Sequence, residues 1–287
     1  MNNNSSKTRN FYRIVYHQLL KRNIFALTGS IRVLPDFLVI GAKRCGTTSL
    51  FYHLPEHPCI SKSPHDNMGF FNDNFHLGVN WYKSFFPTIF TRNKIKSEFG
   101  NFLAFDVTTT YMEEESTANN VYQIKPNMKI IVILRNPVDR AYSQYHLNLR
   151  EKAEKRSFED AMEENMNELN KESHERYEIK PKFSVEENNY LKKSLYAQQL
   201  RHWLNIFPME SMLILSTEEF ESKQQVIYNK IFEFLNISQF EVKNTEKMEK
   251  GSYPQMKSET RSLLLDYFRS HNNELFKLIN KKFDWEK

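Results

Sequence analysis

Cysteine is nearly absent: Cys45 and Cys59 are the only two in 287 residues. So few thiols in so long a chain exclude a disulfide framework. Long apolar runs are also missing. No stretch approaches the ~18 consecutive apolar residues of a spanning helix. The N-terminal segment lacks the continuous apolar centre of a signal peptide, so a cytoplasmic location is expected. Nor does one sign of charge dominate. The 40 Lys and Arg against 35 Asp and Glu leave +5, spread along the chain rather than gathered in one run. That balance argues against a nucleic-acid partner and leaves room for a local basic pocket that takes an anionic ligand. There is no internal repeat, no dividing linker, and no His/Cys/Asp/Glu cluster with metal-ligand spacing.

What is present reads as alternating strands and helices. Phe37-Leu38-Val39-Ile40 is an apolar run entered after Pro35-Asp36 and closed by Gly41. Lys129 to Leu134 is the strongest strand, with a helix following from Val138 to about Arg150. Phe102–Phe105 and Met212–Leu215 read as further strands. Tyr196, Leu200, Trp203, Leu204 and Phe207 keep helical spacing, and Val226–Leu235 is another helix. Ser157 with Asp160 reads as a capping pair, and Ser258 as the cap of the last helix. Such alternation implies βαβ units. The expectation is an α/β, P-loop-like three-layer fold, with a central mostly parallel sheet flanked by helices. Residues 1–30 are read as a polar and amphipathic extension and 31–287 as one domain, a size that one core can serve. Residues 11–27 mix aromatic and aliphatic side chains with Lys and Arg. They suit packing on the domain or peripheral membrane contact.

Two segments carry chemistry. Gly41-Ala42-Lys43-Arg44-Cys45-Gly46-Thr47-Thr48-Ser49 lies between a strand and a helix, the layout of an anion cradle. Gly46 permits close backbone approach, Thr47, Thr48 and Ser49 supply hydroxyls, and Lys43 or Arg44 supplies charge. Gly41 and Gly46 have the spacing of a nucleoside-triphosphate loop, but Thr47 stands where that loop needs its lysine. That substitution argues against a kinase or NTPase. In the second segment, Arg135 follows the strongest strand at its carboxyl end, where open α/β sheets bind ligands. Ser143 lies eight residues on, about two helical turns away. The pair can converge on one phosphate, or Arg135 can simply pair with a carboxylate.

Arg44-Cys45-Gly46-Thr47-Thr48 resembles the 5′-phosphosulfate loop of sulfotransferases that use 3′-phosphoadenosine 5′-phosphosulfate (PAPS). Arg135-Asn136-Pro137-Val138-Asp139-Arg140-Ala141-Tyr142-Ser143-Gln144-Tyr145 resembles their 3′-phosphate motif. Lys250-Gly251-Ser252-Tyr253 resembles the loop that closes over the nucleotide, and segments at 195–200 and 283–285 also look like family sequence. The likeness runs from about Asp36 to the C-terminus and is nearest to heparan sulfate sulfotransferases and their microbial relatives. It implies PAPS as donor and PAP as product, held by Lys43, Arg44, Cys45, Gly46, Thr47, Thr48, Ser49, Arg135, Ser143 and Lys250 to Tyr253. It also implies that Arg44 grips the transferring group, and that the acceptor is a hydroxyl or amine of a small molecule or glycan, a carbohydrate or glycolipid.

The acceptor side departs from the pattern. The family places a Lys-Glu pair ahead of Phe-Phe, with Glu as the base. Here Asp66-Asn67 occupies those places ahead of Met68-Gly69-Phe70-Phe71. Asn cannot take a proton. Asp66, His65 or a further carboxylate such as Asp106 must therefore substitute, or the chain is a catalytically silent PAP-binding protein. An atypical P-loop kinase is the remaining alternative.

Overall fold

A computed structural model describes residues 25–174, 188–243 and 253–286. Its centre is a five-stranded sheet of β1 (Phe37–Gly41), β2 (Ile60–Ser61), β3 (Leu103–Val107), β4 (Lys129–Leu134) and β5 (Met212–Ser216), in the order β2-β3-β1-β4-β5. Every pairing is parallel. Parallel strands covered on both faces read as unbroken apolar runs. Accordingly all five residues of β1 and Ile130 to Leu134 of β4 are buried.

Helices connect the strands. β1 leads into α1 (Thr47–His53). Between β2 and β3 lie α2 (Gly78–Lys83) and α3 (Ile89–Phe99), and between β3 and β4 lies α4 (Glu115–Ile124). The span from β4 to β5 carries α5 (Pro137–Arg150), α6 (Phe158–His174) and α7 (Tyr196–Leu204). After β5 come α8 (Thr217–Ser222), α9 (Gln224–Leu235) and α10 (Ser258–Ile279). The parallel sheet flanked by helices is the α/β architecture expected from sequence. A second apolar cluster joins Val138 and Tyr145 of α5 to Phe158 and Met162 of α6 and to Leu264 and Phe268 of α10.

Local chemistry explains the boundaries. Pro137 opens α5 at the position where a missing N–H costs nothing, and the Asn136 side chain accepts from the Val138 N–H at 3.0 Å. Ser157 caps α6 as expected, its hydroxyl accepting from the Asp160 N–H at 3.1 Å. Ser258 does not cap α10. It is the helix's first residue, and Lys257 precedes it without a side-chain cap. β2 escaped sequence reading because two residues show no periodicity, yet they pair with Leu103 and Ala104 and set the sheet edge. Among the described residues no helix is long and apolar enough to cross a membrane.

Candidate active site

The loops leaving β1 and β4 meet at the carboxyl edge of the sheet, where connections depart in opposite directions. The β1 loop is fixed by backbone contacts. Ala42 N–H donates to the Ile133 carbonyl (2.8 Å), and the Thr217 hydroxyl donates to the Cys45 carbonyl (2.7 Å). Gly46 takes φ 99°, a left-handed conformation that favours glycine, and directly precedes α1. Arg44 is also left-handed, at φ 72°. Its Nε donates to Ser143 Oγ at 3.2 Å, so the two charged motifs touch across 99 residues of sequence. Arg44, Ser143, His146, Arg150 and Tyr253 line one open cavity of about 390 Å³.

Arg135 stands beside Tyr253 and Cys45, half-buried. No hydrogen bond or ion pair with another described residue engages its guanidinium. The carboxylate pairing left open by the sequence is therefore not made among the described residues. Burial works against its charge, but Tyr253, Cys45, Asp139 and Glu221 outweigh burial and hold its pKa above the ordinary value. The Cys45 side chain turns inward, and burial pushes its thiol up to about 11. Cys45 therefore offers a ligand its backbone alone. Thr47 and Ser49 are likewise buried, while Thr48 is half-buried. Tyr253 lines the cavity, and Lys250, Gly251 and Ser252 lie outside the described residues.

Two cations that sequence reasoning left without a role join this edge. Arg140 is 1% exposed and hydrogen-bonds Ser194 Oγ (2.6 Å) and the Tyr190 carbonyl (2.5 Å). Lys193 is buried against Glu113 at 3.5 Å. Burial lowers its pKa, Glu113 opposes that shift, and Lys43 and Arg140 add to it. The available signal was the pair Lys192-Lys193 inside the aromatic and aliphatic stretch from Tyr190 to Tyr196. Opposing buried charge to buried charge, the edge remains cationic and suited to a multiply charged anion.

The segment after β2 carries the residues expected from sequence on the acceptor side. Asp66 is half-buried, makes no hydrogen bond or ion pair with other described residues, and lies close enough to Asp106 to raise its pKa. Asn67 is left-handed at φ 52°. Its Oδ1 accepts from both the Thr109 N–H and the Thr109 hydroxyl, each at 3.1 Å, so it braces the loop. Asp106 is fully buried, with Tyr82, Tyr111 and Thr108 hydroxyls on its oxygens, which leaves no exposed oxygen to meet an acceptor. His65 is exposed and its ring meets Phe85, 6.5 Å between centroids, beside a second open cavity that Phe85 lines with Arg32 and Lys62. Among the described residues no group of three His, Cys, Asp or Glu could hold a metal.

A parallel sheet with a cation-rich switch point defines an α/β protein built to attract an anion at that edge. The sulfotransferase domain model matches residues 34–287, and the chain belongs to that family, a family of transferases. It is 26% identical to the membrane-associated sulfotransferase kil1 of Dictyostelium discoideum, over 90% of this chain and 68% of that protein. It is 30% identical to the bifunctional heparan sulfate N-deacetylase/N-sulfotransferase 4 of Mus musculus, over 86% of this chain. The chain spans only 30% of that larger protein. A crystal structure of a sulfotransferase from Alicyclobacillus acidocaldarius superposes with TM-score 0.68 at 25% identity, covering 89% of this chain and all of the other.

Proposed function

We propose that this chain moves the sulfuryl group of PAPS to a hydroxyl or amine of a carbohydrate-type acceptor, and that residues 31–287 form the transferring domain. The observation that carries the reading is the Arg44–Ser143 contact, with Arg135, which has no hydrogen-bond or ion-pair partner among the described residues, close by. Two anion-seeking loops that are distant in sequence serve one edge, as a donor with both a 5′-phosphosulfate and a 3′-phosphate requires. The heparan sulfate named for the mouse relative supports a glycan as acceptor.

In this reading the loop from Ala42 to Thr48 receives the 5′ end of the donor, and Arg135 with Ser143 receives the 3′-phosphate. The acceptor oxygen or nitrogen forms a bond to sulfur as the bridging S–O bond breaks. The acceptor proton passes to the carboxylate of Asp66, and the electron pair of the broken bond stays on PAP. Arg44 stabilises that growing negative charge as a fixed cation rather than as a proton donor. Asp66 is favoured as base over Asp106, which is buried, and over His65, which turns to Phe85.

The test is transfer of label from PAPS to a panel of desulfated glycans, with PAP affinity measured by calorimetry in parallel. Asp66→Ala is expected to cut transfer by about 100-fold or more, within the range of a general base, and to leave PAP affinity unchanged. An intact protein that binds no PAP would sink the reading. Asn67, with no proton-accepting group, favours a second reading as a silent PAP-binding protein, which requires PAP binding with no transfer to any acceptor.

A further inference from the structure

The fully buried Asp106 carries no cation partner among the described residues, an arrangement that costs free energy in a core. Three hydroxyls compensate. Tyr82 donates to Oδ2 at 2.7 Å, Tyr111 to the same oxygen at 2.8 Å, and Thr108 to Oδ1 at 2.8 Å. Burial raises its pKa, the three hydroxyls oppose that, and neighbouring Asp66 adds to it. A group this expensive, one strand-end away from the candidate base, calls for a use beyond packing.

The use is visible in what the Tyr111 hydroxyl does with its other side. Because its proton is committed to Asp106, its oxygen is left to accept. It takes the Phe70 N–H at 2.9 Å and faces the Phe71 N–H at 3.4 Å. Those amides belong to the loop that carries Asp66. The same loop is pinned further back, where Asn67 N–H donates to the Val107 carbonyl at 2.6 Å. Asp106 thus aligns a phenol, and the phenol fixes the loop's backbone. Without the carboxylate, the Tyr111 hydroxyl can rotate and turn its proton toward the Phe70 N–H, a donor facing a donor.

We infer that Asp106 is a positioning residue of the acceptor side, acting through the Tyr111 hydroxyl to hold the loop that presents Asp66. Its kinetic consequence rests on the sulfuryl-transfer reading, whereas its structural consequence does not. Tyr82 supplies the control. It also donates to Asp106 and its ring stacks on Phe70 at 4.2 Å, but its hydroxyl touches no loop amide.

The experiment compares Tyr111→Phe and Tyr82→Phe in the full chain, with Asp106→Asn as the conservative replacement, since an amide oxygen can still accept from both phenols. Hydrogen exchange is read on the peptides covering 64–72 and 41–49. Tyr111→Phe, and Asp106→Ala, which takes the acceptor from the phenol proton, are expected to speed exchange at 64–72 by about tenfold or more and leave 41–49 unchanged, while Tyr82→Phe and Asp106→Asn leave both near wild type. With an acceptor in hand, Tyr111→Phe should lower kcat about tenfold with unchanged PAP affinity. Equal exchange in the two Tyr variants, or wild-type exchange at 64–72 in Tyr111→Phe or in Asp106→Ala, overturns the inference. Failure of wild type to bind PAP or transfer label removes the function but leaves the exchange result to decide the positioning.

Discussion

Asn67 shows how a single residue can contradict a family pattern for a structural reason. A left-handed backbone suits Asn and strains most other side chains by roughly 1–2 kcal/mol. Its amide oxygen also takes two donors from Thr109. Restoring the family's Glu is therefore expected to harm rather than help. Asn67→Glu should lower stability by about 1–3 kcal/mol in urea titrations and give no gain in transfer. A gain would show that Asn67 is a lost base. Arg135 presents the opposite case, a side chain with no hydrogen-bond or ion-pair partner among the described residues, whose removal breaks no such contact there. Arg135→Ala is expected to weaken PAP binding about 10- to 100-fold, the worth of a charged hydrogen bond, with unfolding unchanged. Unchanged calorimetric affinity would remove Arg135 from the donor site. The sequence announced Arg135 and Ser143 by their place after a strong strand, but not Arg140 or Lys193. Their significance is burial and neighbours, which no local pattern records.

At the scale of elements, the turn between α5 and α6 is organised by one carboxylate. Glu154 Oε1 accepts from the backbone N–H of Lys155 (2.8 Å) and Arg156 (3.0 Å), and Oε2 from Arg156 Nη2 (2.6 Å) and the Tyr190 hydroxyl (2.9 Å). The Arg156 side chain and these backbone donors hold its pKa down at about 2, against a burial penalty. A depressed folded-state pKa means that the unfolded chain binds the proton more tightly. The stabilisation is therefore present above about pH 4.5 and is lost as pH falls from there toward 2. A shift of this size corresponds to about 3 kcal/mol. Glu154→Gln should lose most of that stability at neutral pH and show a flatter decline between pH 5 and 3 than wild type, read by urea unfolding across pH. Parallel declines would show that Glu154 is not the group responsible. Capping at this scale was legible where the pattern was complete, as at Ser157. It misled at Ser258, where a lone serine before an apolar run is the first helical residue.

For the whole molecule, the sheet was readable because parallel strands buried on both faces leave continuous apolar runs, as in Ile130 to Leu134. β2 was not readable, because two residues acquire strand geometry from Leu103 and Ala104 rather than from their own pattern. The meeting of the β1 and β4 loops was readable for the same reason as the strands, since both loops sit at fixed offsets from those strands. The sequence named Asp66 and Asp106 as candidates but not the Asp106 hydroxyl cluster, because Tyr82 and Tyr111 converge on Asp106 from α2 and the β3 exit through tertiary contacts alone. This division sets a test of the molecule as a unit. The cation-rich edge gathers Lys43, Arg44, Arg135, Arg140 and Lys193 from three segments distant in sequence, so an anion bound there would favour the folded state as a whole. A ligand that binds only the folded chain adds about 2.7 kcal/mol at one hundred times its dissociation constant, and a chain of this size gains roughly 2–4 °C per kcal/mol. PAP at that excess is thus expected to raise the unfolding midpoint by about 5–10 °C in scanning calorimetry. In Arg135→Ala at the same concentration the excess falls to about one- to tenfold, so the rise should shrink to about 1–5 °C, and ATP should not reproduce the wild-type rise, since Thr47 replaces the lysine a triphosphate needs. A larger rise with ATP and magnesium than with PAP would transfer the molecule to the kinase reading.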